Sequence, residues 1–236
     1  MKAAFAGGPG GEIYIKMNIG IVGLPNSGKT TVFNALTGSD AATAAYTGSG
    51  DEVNVATVKV PDPRLDFLFD LFKPKKKTQV ELKYVDYAPV QKGGGGFSDR
   101  FIGDLRTSDA LIIVLRAFDD EGVPHPDGRI DPAADFDSLM AEFVLADLQV
   151  VENRLERIEE GIAKFSKEEK EKLKREKPAL EKIKTALEEE KPASTVNLGG
   201  NEEKMIRTYG LLTRKHFMAV VNVSEEQMGK GAEKPV

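Results

Sequence analysis

Apolar and polar positions alternate in two different rhythms along this chain. In the first half, short apolar runs are separated by stretches of helical period. Asn18 to Val22 reads as a buried strand, and Lys29 to Leu36 as the helix after it. Val53 to Val60 is a second strand, closed by Pro61-Asp62-Pro63, after which Leu65, Leu68, Phe69 and Phe72 recur at helical spacing until Pro74 stops them. Val80 to Val85 is a third strand, Gly93 to Gly96 a flexible loop, Ser98 to Arg106 a helix and Ala110 to Leu115 a continuous apolar strand. Strands alternating with helices predict an α/β fold, a mostly parallel sheet with helices on both faces.

The rhythm then changes. Leu145, Leu148, Val151, Leu155, Ile158, Ile162 and Phe165 are spaced 3, 3, 4, 3, 4 and 3, the apolar seam of a coiled-coil helix. Ser166 with Glu169 matches a capping box that restarts a helix, on which Leu173, Leu180, Ile183 and Leu187 share a face. An inserted antiparallel helical hairpin is expected, with a kink or short break at Pro178. Residues 151 to 191 carry equal numbers of acidic and basic side chains, which predicts a solvated outer face. Phe217 to Val221 returns to the strand pattern.

Composition narrows the class. The 236 residues are 40% hydrophobic, enough for a real core, and the net charge of −5 argues against wholesale coating of nucleic acid. Cysteine is absent, so there are neither disulfides nor a thiolate metal site, and the cytoplasm is the expected compartment. No apolar run approaches the roughly 20 residues of a membrane span. Met1 to Lys16 is Gly-rich, lacks the apolar core of a signal peptide and precedes Met17, so residues 1–16 read as an extension.

The strongest chemical signal is Gly20 to Gly38, GIVGLPNSGKTTVFNALTG, which holds GxxxxGKT between a strand and a helix. Gly23 and Gly28 let the backbone curl so that successive N–H groups, with Asn26, Ser27 and Thr31, face phosphate oxygens. Lys29 reaches the β and γ phosphates, and Thr30 supplies a hydroxyl to Mg²⁺. Asp86 ends a strand, where an acidic group contacts the metal through water. Asn222, Val223 and Glu225 follow the last strand, the end at which open parallel sheets bind a base. Guanine-specific domains carry Asn-Lys-x-Asp there. Here Val223 replaces the lysine and Glu225 the aspartate, while the Asn222 amide is able to pair with N6 and N7 of adenine.

These residues, with VPDPRLDFL, VDYAPVQKGG, ALIIVLRAFDDEG, IDPAADFDSLMAEFVLADLQVVENRLERI and NVSEE, resemble the Obg-like ATPase family of the YchF type. The resemblance runs from Met17 to about Glu226. It implies an ATP-binding P-loop G domain over residues 17–135 and 200–236, a coiled-coil insertion over 136–199, a following TGS domain not seen in this sequence, and a C-terminal part of the G domain that is incomplete. It also implies Mg²⁺ as cofactor, ATP and ADP as ligands, and the ribosome or its RNA as partner; a monomer without membrane contact is expected.

The sequence departs from that family at both switches. DxAG reads Asp86-Tyr87-Ala88-Pro89, and proline has no N–H for the γ phosphate. The threonine of the first switch falls at Gly50, with Thr47 and Ser49 nearby as substitutes. Val90 stands where many GTPases keep a water-positioning glutamine. His125, in GVPHPDG, matches a loop histidine of the family and is the catalytic candidate; Asn26 matches an asparagine that some relatives use to hold K⁺. The expected activity is slow Mg²⁺-dependent ATP hydrolysis. The alternatives are a non-hydrolysing nucleotide-dependent adaptor and a GTP-binding GTPase.

Overall fold

A computed structural model describes residues 16–39, 53–87, 97–120, 122–161 and 167–228. The elements in chain order are β1 (Lys16–Val22), α1 (Lys29–Thr37), β2 (Asn54–Lys59), α2 (Pro63–Phe72), β3 (Glu81–Asp86), α3 (Asp99–Arg106), β4 (Ala110–Arg116), α4 (Pro132–Gly161), α5 (Lys167–Glu188), α6 (Gly200–Ile206), β5 (His216–Asn222) and the single turn α7 (Glu225–Met228). The Gly93–Gly96 loop, Ile162, Phe165, the cap at Ser166 and the switch positions Thr47, Ser49, Gly50, Pro89 and Val90 lie outside the described residues.

The five strands form one sheet in the order β2-β3-β1-β4-β5, parallel throughout except β2, which runs antiparallel to β3. The central strands are covered on both faces, which is why Ala110 to Leu115 is an unbroken apolar run rather than an alternating one. On one face Ile21, Tyr84, Ile112 and Val114 pack with Phe33 of α1. On the other, Val22, Val85, Leu111, Ile113 and Leu115 pack with Leu105 of α3 and with Leu139 and Phe143 of α4.

That last contact shifts the expected boundary of the insertion. The helix begins at Pro132, with Asp131 accepting from the Ala134 N–H at 3.1 Å, and its first three turns share the core of the sheet. Only beyond them does the hairpin stand apart, where Val144, Val151 and Ile158 of α4 meet Leu173, Leu180, Ile183 and Leu187 of α5.

Two sequence expectations fail here. Leu145 is 60% exposed, because the seam runs through Val144, Leu148, Val151, Leu155 and Ile158, one position out of phase at its start. Of the kink or short break expected at Pro178, the break is absent, since α5 continues from Lys167 to Glu188 with Pro178 inside it. The uniformly solvated charged face is also interrupted. Glu176 is buried and accepts from Arg154 Nε at 2.7 Å and Nη2 at 3.0 Å, and from the Tyr209 hydroxyl. Burial pushes the Glu176 carboxyl up, but these hydrogen bonds outweigh it and hold the group below the ordinary glutamate range.

Asp147 ties the root of the hairpin to the G domain. Fully buried on α4, its carboxylate accepts from Arg106 Nη1 (2.9 Å), Leu212 N (2.9 Å), Thr213 N (2.8 Å) and Thr213 Oγ1 (2.8 Å). Four donors make a buried carboxylate tolerable where one would not. Among the described residues, no helix is long and apolar enough to cross a membrane.

Candidate functional site

The carboxyl ends of β1, β3, β4 and β5 converge on the loop between β1 and α1. Gly28 enters α1 at φ 89°, a left-handed conformation that favours glycine. A methyl group on Gly23 would lie 2.4 Å from the Val114 carbonyl oxygen and 2.8 Å from Ser27 Oγ, so the loop lies against the end of β4 with no room for a side chain. Lys29 folds back into it, its Nζ donating to the carbonyls of Gly23 (3.2 Å) and Leu24 (3.0 Å). Burial lowers the Lys29 pKa to about 8, although the charge of Asp86 pulls it upward.

Thr30 Oγ1 donates to Asp86 Oδ2 at 2.8 Å, so the two expected metal-binding groups are already in contact. The second oxygen, Asp86 Oδ1, is buried and has no hydrogen-bond partner among the described residues, and the same holds for Ser27 Oγ. Buried acceptors left open beside a lysine and a threonine hydroxyl form a donor set that fits a hydrated Mg²⁺ carrying phosphate oxygens. Asn54, at the start of β2, also reaches Asp86 Oδ2, at 3.3 Å. This residue was not singled out from the sequence; its only signal is an asparagine opening the strand that follows the first switch.

The loop is braced from the other side by Asn222. This side chain is the last residue of β5, not a residue beyond it, and its Nδ2 donates to the Ser27 carbonyl at 3.1 Å. Ser224 and Gln227 cap each other, Gln227 N donating to Ser224 Oγ and Ser224 N to Gln227 Oε1, which starts α7 at Glu225. Val223 is half-buried and Glu225 is exposed at that helix start.

A glycine-rich loop after β1, a buried aspartate ending β3 and an asparagine ending β5 match the layout of a G domain, and the family model of the 50S ribosome-binding GTPases matches residues 18–197. The chain belongs to the 50S ribosome-binding GTPase family. Within it, the chain is similar to proteins called ribosome-binding ATPase YchF. It is 38% identical to the one from Bacillus subtilis over 215 residues, 90% of this chain and 58% of that protein. It is 37% identical to the one from Haemophilus influenzae over 210 residues, 88% of this chain and 57% of that protein. The solved structure of the Schizosaccharomyces pombe YchF GTPase superposes with a TM-score of 0.71 at 30% identity, covering 99% of this chain and 62% of that one. The chain thus spans a little over half the length of the curated relatives it matches.

Within this G domain, the sequence candidate Asn26 makes a contact of a different kind. Asn26, at φ 61°, donates through Nδ2 to the Pro124 carbonyl at 3.0 Å, fastening the phosphate loop to the loop that carries His125. Arg116, almost wholly buried at the end of β4, stacks its guanidinium 4.4 Å from the Phe118 ring centre and reaches the Asn26 carbonyl at 3.5 Å. A strand-end arginine in LRAFDD carried no sequence signal for that role.

His125 itself is turned inward. Its side chain is 4% exposed and its Nε2 lies 3.0 Å from Asp135 Oδ2, on the first turn of α4. Nδ1 accepts from the Asp127 N–H at 3.2 Å, which places the proton of a neutral ring on Nε2 and makes Nε2 the donor to Asp135. With both nitrogens so engaged the ring has no lone pair for a metal, so the cluster of His125, Asp127 and Asp135 is hydrogen-bonded rather than a ligand set.

Proposed function

We propose that this chain is the nucleotide-binding part of a ribosome-associated switch protein that prefers ATP, binds it with Mg²⁺ and hydrolyses it slowly. The observation that carries the reading is the replacement of both guanine-selecting residues, by Val223 and Glu225, beside an Asn222 amide that faces the phosphate loop. One N–H of that amide engages Ser27. The second N–H and the carbonyl oxygen remain chemically suited to N7 and N6 of adenine.

In this reading Gly23, Asn26, Ser27, Gly28, Lys29, Thr30 and Thr31 hold the phosphates, and Thr30 with Asp86 holds Mg²⁺, which neutralises the charge that develops between the β and γ phosphates. His125 orients the attacking water after leaving Asp135. K⁺ at Asn26 would require the amide to give up Pro124. Slow turnover follows from Pro89, which has no N–H to offer the γ phosphate, and from Gly50, which has no hydroxyl. Ribosome association follows from the similarity to proteins called ribosome-binding ATPase, and a cytoplasmic monomer is part of the same reading.

Calorimetric titration with ATP, ADP, GTP and GDP in Mg²⁺ tests the reading. At least roughly tenfold tighter ATP than GTP, about 1.4 kcal/mol, supports it; tighter GTP returns the chain to ordinary GTPases, in line with the names of the family and of the Schizosaccharomyces pombe protein. The second reading, an adaptor that holds ATP without turnover, is favoured by the buried His125–Asp135 pair. Phosphate release measured against Lys29→Ala separates the two.

A further inference from the structure

Helix α2 carries an apolar face that no other described residue buries. Asp62 caps its first turn, accepting from the Arg64 N–H at 2.9 Å, and Pro63 opens the helix. Leu65 and Phe69 turn partly inward, yet no residue of the helix is buried. Beside them Phe67, Leu68, Leu71 and Phe72 are 66%, 47%, 60% and 72% exposed. Their spacing, i, i+1, i+4 and i+5, puts all four on one face. Four large apolar side chains side by side are not the scattered exposure of an ordinary surface.

Charge completes the pattern. Lys73 leaves the helix in a left-handed turn (φ 44°), and Lys73, Lys75 and Lys76 follow, all exposed. Of the carboxylates nearby, Asp62 pairs with Arg64 and Asp66 with Lys77, and Asp70 is a third, exposed on the helix itself, so that Arg64 and the lysines at 73, 75, 76 and 77 outnumber them. A positive rim therefore lies at the C-terminal end of the apolar face, in a chain whose net charge is −5.

We propose that α2 is a docking helix, received by an apolar groove with an acidic rim on a protein of the ribosomal particle. This rests on the ribosome-associated reading above and names the surface that would serve it. An amphipathic helix laid into a groove through anchors one turn apart is a recurrent mode of recognition. RNA fits the face less well: stacking would use the phenylalanine rings but leave Leu68 and Leu71 desolvated against nothing apolar. A second copy of the chain fits less well too. At ~200 Å² per large apolar side chain the face offers on the order of 450 Å², and two such faces fall short of the ~1,200 Å² that a stable interface needs. A groove that wraps the helix flanks and reaches the lysines supplies the difference.

The test is co-sedimentation of the full chain with purified 50S subunits in Mg²⁺-ATP. Phe67→Gln with Leu71→Gln should weaken binding at least tenfold, and Lys73→Glu with Lys75→Glu and Lys76→Glu at least fivefold, with ATP affinity unchanged as the check on folding. A benzophenone side chain at position 71 should cross-link to a ribosomal protein. Wild-type binding by the Phe67/Leu71 variant, or cross-links to ribosomal RNA, overturns the proposal while leaving the ribosome reading standing. Retained 50S binding with loss of binding to phosphatidylglycerol vesicles assigns the face to a membrane and also overturns it. A wild-type chain that ignores 50S subunits in every nucleotide state removes the reading itself.

Discussion

The amide of Asn222 and the α-carbon of Gly28 meet so closely that a methyl group on Gly28 would stand 2.1 Å from Asn222 Nδ2. The contact joins the last strand of the sheet to the phosphate loop, because the same nitrogen donates to the Ser27 carbonyl. Gly28 is therefore fixed twice, by its left-handed backbone at φ 89° and by a neighbour that must come near. Gly28→Ala should abolish measurable nucleotide binding. Asn222→Ala, which keeps the glycine but removes the brace and the base partner, should cost about 1–3 kcal/mol, or roughly 5- to 150-fold in ATP affinity, and erase the preference over GTP. An Asn222→Ala protein that still prefers ATP would show that the base is chosen elsewhere.

The hairpin should be removable only from its outer part. Lys184 Nζ and Glu152 Oε1 stand 3.0 Å apart across the two arms, so a Gly/Ser linker in place of residues 153–183 joins positions already adjacent. ATP affinity should stay within about threefold of wild type. Replacing residues 136–191 should instead unfold the protein, because it deletes Leu139, Phe143 and Asp147, and each large apolar side chain lost from a core costs about 2–5 kcal/mol. Thermal unfolding and ATP titration of both deletions decide it. Equal tolerance of the two would mean that the first turns of α4 are not part of the sheet core.

Those deletions mark the line between what the sequence made legible and what it did not. The phosphate loop and the alternation of strands and helices are local patterns, readable from residue types and spacing within short stretches of the chain. Leu145 was assigned to the seam because period alone cannot tell a helix with one buried face from one that passes from the sheet core to the hairpin, and α4 does the latter. Asp147 carried no signal because a carboxylate reads as solvated until the four donors around it, most of them contributed by residues over sixty positions away, are known. α2 shows the converse error of pattern: its spacing predicted a helix correctly, but Leu68 and Phe72 face outward. The pairing of His125 with Asp135 was invisible for a similar reason, since it depends on where the first turn of α4 stands.

That pair yields a prediction about turnover. Asp135 is 2% exposed, and its Oδ1 has no partner among the described residues, so the hydrogen bond from His125 is what its side chain holds on to. His125→Ala should lower unfolding free energy by about 3 kcal/mol, as a buried carboxylate loses its donor. If His125 also orients water, His125→Ala should reduce kcat at least tenfold, whereas Asp135→Ala, by releasing the ring, should raise it several-fold. Single-turnover hydrolysis of the two variants and of the double variant reads this directly. Unchanged kcat in His125→Ala assigns the ring to the fold alone.

Lys29 gives the last prediction its sign. Its ammonium is buried, the charge of Asp86 only partly offsets the cost, and its pKa stands at about 8. A bound phosphate chain brings negative charge to Nζ and raises the pKa again. The group then holds its proton more tightly in the complex than in the free protein. The affinity it contributes is fully present below about pH 8 and is lost as pH rises through the higher value in the complex. Proton uptake on binding should be close to 0.1 at pH 7, about one half at pH 8 and about 0.9 at pH 9. Folding responds with the opposite sense. Because the unfolded lysine titrates near 10.5, the nucleotide-free protein should gain on the order of 1 kcal/mol from this group between pH 8 and 9.5, while its ATP affinity falls. Calorimetry in two buffers of different ionisation enthalpy measures the uptake, and urea unfolding at the two pH values measures the stability. Binding at pH 9 without proton uptake would mean that Lys29 is already charged in its buried site, and the two slopes would vanish together.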